Sequence, residues 1–328
     1  MKLKSRGTLA VAAVVWALLV ALVPAAYAQG YPNRPVKLVA PFPAGGTTDF
    51  LARLLAQELS ETWGQPVIVE NKSGAGGTIG TESVASAPGD GYTLLMGNFG
   101  PIALAPFLYT GLRYDPLRDL VPITLIATTP NVLLVNPRSG VRTVGEFIAL
   151  AKSKPGALSY ASAGMGISNH LGMELLKQMA GIDLVHVPYK GSSPALADLV
   201  GGQVFATLDP VTSSMALVKA GKLTAIGIGS LQRSAVYPEL PTIAESGVPG
   251  FENGTWNGLL APKGTPREFT QPIWSAARDA IRKPQISRKI QETGSQVVAG
   301  TPDEFRSFIE QQQARWAPVI RQAGIKPN

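Results

Sequence analysis

Apolar positions along this chain alternate between two rhythms, short runs of four or five residues and longer stretches with hydrophobic side chains at helical spacing. Val36 to Ala40 is the first run, and behind it Phe50, Leu51, Leu54, Leu55 and Leu59 share one stripe of a helix from Asp49 to Leu59, with Thr47 or Thr48 available as its cap. Strand Val67 to Glu70, helix Thr78 to Ala87 and strand Thr93 to Met96 continue the pattern, the last after the turn Pro88-Gly-Asp-Gly91. Pro101 to Pro122 interrupts it. The apolar segments Ile123 to Ala127 and Val132 to Val135 then read as a crossing into a second domain. There the alternation resumes with helix Val144 to Lys152, strand Leu158 to Ala161, helix His170 to Ala180 and strand Leu184 to Val187. Helix Pro194 to Val200, strand Val204 to Leu208, helix Ser213 to Ala220 and strand Leu223 to Ile228 follow. The proline- and glycine-rich stretch Tyr237 to Phe251 returns the chain to the first domain, which helices from Pro266 to Ile281, Pro284 to Glu292 and Pro302 to Ala323 complete.

Strands alternating with helices of this length predict an α/β fold of mostly parallel sheets with covered faces. Roughly 300 residues exceed what one hydrophobic core holds, so two domains are expected, with the cleft between them as the default site. The expected boundaries are 29–128 and 250–328 for one lobe and 129–249 for the other, and two crossings between them make a hinge.

Ligands of such sheets collect beyond the carboxyl ends of the strands, where this chain places glycine turns. Pro41-Phe-Pro-Ala-Gly-Gly-Thr-Thr-Asp-Phe50 and Ser73-Gly-Ala-Gly-Gly-Thr-Ile-Gly80 each follow a strand and precede a helix. Glycine lets the backbone approach a ligand closely, and the free N–H groups of a helix's first turn carry the positive end of its dipole. Side by side, the two turns form an anion cradle from Phe42, Ala44, Gly45, Gly46, Thr47 and Thr48 on one flank and Gly74, Ala75, Gly76 and Gly77 on the other. Asp49 either answers the helix dipole or faces the cleft, where it accepts from a ligand hydroxyl, amine or water. Asn98, at the end of the third strand, joins the candidates.

In the second domain, Ser162-Ala-Gly-Met-Gly-Ile-Ser-Asn-His170 is a third turn, with Ala163, Gly164, Gly166, Ser168 and His170 as candidate contacts. Ser168 or Asn169 there serves as a helix cap or meets the ligand's far end. Tyr189, Lys190 and Gly191 form a fourth turn, and Asp209 ends the strand before Pro210, capping the next turn or looking into the cleft. His186, in an apolar strand pattern, reads as a core histidine.

Other chemistries lack their motifs. Position 79 is isoleucine, which breaks the dinucleotide fingerprint, and no phosphate-binding loop of the Gly-x-x-x-x-Gly-Lys type occurs. Gly164-Met-Gly-Ile-Ser168 is not a nucleophile elbow, and two histidines without cysteine do not build a zinc site. No enzyme, metal or cofactor is therefore expected. Lys2, Lys4 and Arg6, the apolar run Leu9 to Val23 and Ala26-Tyr27-Ala28 read as an export signal cut near Ala28, leaving a soluble protein with no membrane anchor. The formal charge of +7 includes those three basic residues and no acid from the leader, so the remainder carries +4, too mild for nucleic acid and mildly favourable to an acidic ligand.

Taken in order, Pro41 to Asp49 with Ala52-Arg53, Val69-Glu-Asn-Lys-x-Gly-Ala-Gly-Gly-x-Ile-Gly80, Asp90-Gly-Tyr-Thr-Leu94, Val187-Pro-Tyr-Lys-Gly191 and Asp198-Leu-x-Gly-Gly-Gln-Val204 carry a specific likeness. The chain resembles the tripartite tricarboxylate transporter substrate-binding receptors, also called the Bordetella uptake gene family. That resemblance implies a periplasmic solute-binding protein, a two-lobed clamshell of type II kind, which closes over an organic acid and delivers it to a membrane permease; a monomer is the default expectation. It also implies a ligand carboxylate between the first two glycine turns, with Ala163 to His170 and Tyr189 to Gly191 contributed by the second lobe. Where the family pattern often has serine after the second glycine of the second-lobe turn, this chain has Ile167, which makes that end of the pocket less polar. Presentation of the ligand to a signalling partner needs the same clamshell, and dicarboxylates, tricarboxylates, acidic amino acids, aromatic acids and nicotinate-like vitamins all remain open.

Overall fold

The first apolar runs form three parallel strands, β1 (Val36–Ala40), β2 (Val67–Asn71) and β3 (Thr93–Asn98), with β1 in the middle. Helices α1 (Thr47–Trp63) and α2 (Thr78–Ala85) connect them, α1 burying Leu51, Leu55 and Leu59 as its stripe predicts. The computed structural model describes residues 31–322, so the export signal expected over residues 1–28 and the end of the last helix at Ala323 lie outside the described residues.

The proline-rich interruption holds a turn of π-helix at Gly100–Leu104 and two short helices, α3 (Ala105–Leu108) and α4 (Pro116–Asp119). The two apolar segments after it are one strand, β4 (Leu120–Val135), of 16 residues. Beyond β4 come α5 (Val144–Ser153), β5 (Ser159–Ser162), α6 (Ser168–Ala180) and β6 (Val185–Pro188). Then follow α7 (Ser192–Gly201), β7 (Ala206–Pro210), α8 (Val211–Lys219) and β8 (Thr224–Ile228). The return segment leads into β9 (Gly254–Pro262), and α9 (Arg267–Arg282), α10 (Pro284–Gln291), β10 (Gln296–Val297) and α11 (Pro302–Gln322) complete the described chain.

The strands run in the order β2-β1-β3-β9-β4-β7-β5-β6, with β8 and β10 also on β4. β4 joins the two portions. As far as Pro130 it pairs antiparallel with β9, and from Asn131 onward with β7 and β8. Its last residues alternate between two cores, Leu133 and Val135 packing with Phe147 and Phe251 while Val132 and Leu134 pack with Leu196 and Val211. Period-two alternation with both faces apolar is what a strand covered on both sides requires. A separate core gathers Leu95, Phe99, Trp256, Phe305 and Trp316 in the first portion.

Three segments meet at the crossing. The Gly229 amide donates to the Asn131 carbonyl at 2.7 Å, and the Asn253 amide to the Gly229 carbonyl at 2.8 Å. A Cβ on Gly229 would stand 2.4 Å from the Asn253 carbonyl oxygen, so only glycine permits this close lacing.

Candidate ligand-binding site

Four helix N-termini meet at one cavity. Gly46, Thr47 and Thr48 of α1 line it from the first portion, and Ile167, Ser168 and Asn169 of α6, Gly191, Ser192 and Ser193 of α7, and Pro210 before α8 line it from the second. The N-cap residues of these helices are Gly46, Ile167, Gly191 and Pro210, and none makes a side-chain cap. Elsewhere in the fold α4 and α5 are capped by Asp115 and Thr143, while α2, α3, α9 and α10 also begin without a side-chain cap; what sets the four apart is that they converge on one cavity. Glycine, isoleucine and proline have no side-chain acceptor to offer, so the amides of these first turns remain for something else. No charged residue lines this cavity. Its volume is about 70 Å³, several times the ~10–15 Å³ that one water occupies on that measure.

Asn98 and Thr255 form the inner wall, the Asn98 amide donating to Thr255 Oγ1 at 3.0 Å. Beside them Asn257 donates to Thr48 Oγ1 at 2.9 Å. Across the mouth, the hydroxyls of Thr47 and Thr212, 165 residues apart, meet in a short hydrogen bond. At the same seam Gly191 lies so close to Pro43 that a Cβ would come within 3.3 Å of the proline ring. The two portions therefore touch over the cavity.

The second glycine turn lines a neighbouring, open chamber of about 620 Å³, with Tyr109, Met165, Tyr189 and the exposed Lys190. Phe42, Pro43 and Ala163 border both chambers. The Phe42 ring, shared by both linings, lies only 3.0 Å from where a Cβ of Gly77 would stand. Gly74, Ala75, Gly76, Gly77 and Gly164 face the outer chamber, while Gly46, Thr47, Thr48, Asn98, Ser168 and Gly191 face the inner one.

The remaining candidates are turned elsewhere. Ala44 and Gly45 are exposed. Asp49 folds back on its own turn, accepting from the Gly45 amide at 3.0 Å, from Arg53 Nε at 3.0 Å and from Asn71 Nδ2 at 2.9 Å. Burial works to raise its pKa, but the hydrogen bonds from Arg53, Gly45 and Asn71 outweigh it, and the carboxyl sits below its ordinary value. Gly166 and His170 pair with each other, the Gly166 amide donating to His170 Nδ1 at 3.0 Å. His170 stacks on His186 at 4.0 Å between ring centres, and His186 Nε2 is 2.6 Å from Ser162 Oγ. Tyr189, which also lines the outer chamber, donates to Asp198 at 2.6 Å.

Asp209 is fully buried at the end of β7, directly behind Pro210. Ser213 donates to its Oδ1, while Oδ2 has no hydrogen-bond partner. Burial pushes its carboxyl up to about 6, against the pull of Ser213, Ser192 and Asn169.

Sequence reading named the first turn but not Pro43, Ser192, Ser193, Pro194, Pro210 or Thr255 as lining residues. The missed signal was available in part. Helices that begin without a capping side chain, at Gly191 and Pro210, announce unclaimed amides.

The tripartite tricarboxylate transporter family receptor model matches residues 51–325. The chain belongs to that receptor family. It is accordingly a two-lobed periplasmic binding protein of the receptor kind and not an enzyme. Among its relatives, the receptor is 38% identical over 300 residues to protein BugT of Bordetella pertussis, covering 91% of this chain and 92% of that one. Among solved structures, R. palustris Rpa4515 with adipate is 39% identical, with a TM-score of 0.88 over 91% of this chain and 100% of that one. MatC from Rhodopseudomonas palustris with bound malate is 34% identical, with a TM-score of 0.84 over 88% and 100% of the two chains. No described helix of the receptor is long and apolar enough to cross a membrane, and no group of three or more metal-ligating side chains occurs among the described residues.

Proposed function

We propose that this receptor is exported with its leader removed near Ala28, captures a small organic carboxylate between its lobes, and hands it to the membrane permease of a tripartite tricarboxylate transporter. One lobe comprises residues 29–128 and 250–328, the other 129–249. The observation that carries this reading is the convergence of four uncapped helix N-termini, one from the first lobe and three from the second, on a cavity with no charged lining. A carboxylate stripped of water is costly to bury unless donors replace its hydration. First-turn amides and their dipoles are such donors, each helix end worth about 0.3–1 kcal/mol and more where water is excluded. Either lobe alone supplies an incomplete set, so tight binding belongs to the closed form, held shut at Thr47–Thr212 and Pro43–Gly191. The inner cavity suits a carboxylate head, and the outer chamber beyond Phe42, with Lys190 at its rim, suits the remainder of a longer acid.

Relatives crystallised with adipate and malate support acids as the class to screen. Thermal-shift measurements with a panel of dicarboxylates, tricarboxylates and aromatic acids are expected to raise Tm by several degrees for one or more members and not for the matching amides. A panel in which no acid raises Tm overturns the reading.

A further inference from the structure

We propose that Asp209 is the proton acceptor of this site, and that capture of an anionic ligand is coupled to uptake of one proton from solvent onto its free oxygen. The inference rests on the anion-receptor reading above and concerns the charge balance that such a receptor must strike. The cavity is lined by amides, hydroxyls and carbons without a single cation. Behind that lining, next to Pro210 at the foot of α8, lies a fully buried carboxyl, Asp209, which meets Ser192 and Asn169 of the cavity wall. A carboxylate placed on the same helix ends competes with Asp209 for the same positive potential, and two anions sharing one desolvated pocket do not both stay ionised.

The groups facing Asp209 leave a proton as the available compensation. From α6 it meets Asn169, while that helix's His170 is turned to Gly166 and His186; from α7 it meets Ser192; from α8, Ser213; from β4, its register partner is Val132. None brings a positive charge. Oδ1 is occupied by Ser213, and Oδ2, buried and without a partner, is the atom able to take the proton. Burial, even against the hydrogen bonds of Ser213, Ser192 and Asn169, already lifts this carboxyl to about 6, so a second negative charge nearby carries it through neutrality. In balance, one ligand anion and one solvent proton enter together, and both leave on opening.

Calorimetric titration of the purified protein with malate, repeated in buffers of different ionisation enthalpy at about pH 7.5 where malate is fully ionised, counts the protons exchanged. The expected result is uptake approaching one proton per malate bound, with Kd weakening by up to about tenfold per pH unit above the Asp209 pKa. Asp209→Asn is expected to bind malate with no proton uptake and a flat pH profile. Malate binding by the wild-type protein without proton uptake overturns the inference while leaving the receptor reading intact, and needs no variant. Uptake that persists in Asp209→Asn also overturns it, because another group is then the acceptor. If malate does not bind, the same titration is made with whichever acid of the panel raises Tm, and if no acid of the panel does so the receptor reading and the inference fall together.

Discussion

Asp49 illustrates how one carboxylate builds a turn that others use. Its oxygens take the Gly45 amide, the Arg53 guanidinium and the Asn71 amide, so it holds the first glycine turn on α1 and ties it to β2. Position at a helix start made the dipole role foreseeable, whereas the partnership with Asn71, 22 residues away, required the register of β1 on β2. Asp49→Ala is expected to destabilise the protein by about 1–3 kcal/mol in chemical denaturation, because it removes the buried carboxylate that the Gly45, Arg53 and Asn71 donors share. Arg53→Met should cost less, its side chain being 56% exposed. The carboxyl's lowered pKa has a definite sign. Its contribution is complete above the ordinary carboxylate range and is lost as pH falls below about 4 toward the lowered value.

At the scale of elements, strands and helices with clean periodicity were legible almost to the residue, α5 and β1 among them. β9 was not. Gly254-Thr-Trp-Asn-Gly-Leu-Leu-Ala-Pro262 is interrupted by Asn257 and Gly258, and it is a strand because β3 and β4 clasp it from either side, a fact of tertiary structure and not of local pattern. β4 likewise looked like two pieces, since Pro130 and Asn131 break its apolar run at the crossing. Of the site, the glycine turns were visible as turns, but the sharing of Phe42 by both chambers was not, because it depends on a ring meeting Gly77, 35 positions later. The stacked histidines of α6 and β6 carry their own pH response. Burial lowers His170 to about 4, and burial together with His170 lowers His186 to about 3, both from an ordinary 6.5. The unfolded chain therefore protonates first, and stability that is complete above about pH 6.5 is lost as pH falls through that window toward 3. Tm is expected to drop by several degrees between about pH 7 and pH 5, with a shallower slope in His186→Gln, as differential scanning calorimetry at stepped pH would record. An equal slope in that variant would assign the loss to other groups.

For the whole molecule, the closure proposed above runs through the seam where Pro43 of the first portion meets Gly191 of the second. Gly191 has φ +131, and an added methyl would press on the Pro43 ring at 3.3 Å. Gly191→Ala is therefore expected to hold the lobes apart and weaken acid binding by tenfold or more, beyond the 1–3 kcal/mol of local strain at that backbone angle. Small-angle scattering at saturating acid should show the variant keeping a larger radius of gyration than the wild type. Identical radii and affinities would place the closing contact elsewhere.

The uncharged lining also governs unloading. A lysine or arginine in the inner cavity would keep its pull on a bound carboxylate even after the lobes parted. Here the grip is a sum over helix ends carried on different jaws, so swinging them apart dissolves it at once. In the transport role proposed above, opening and discharge then become a single event.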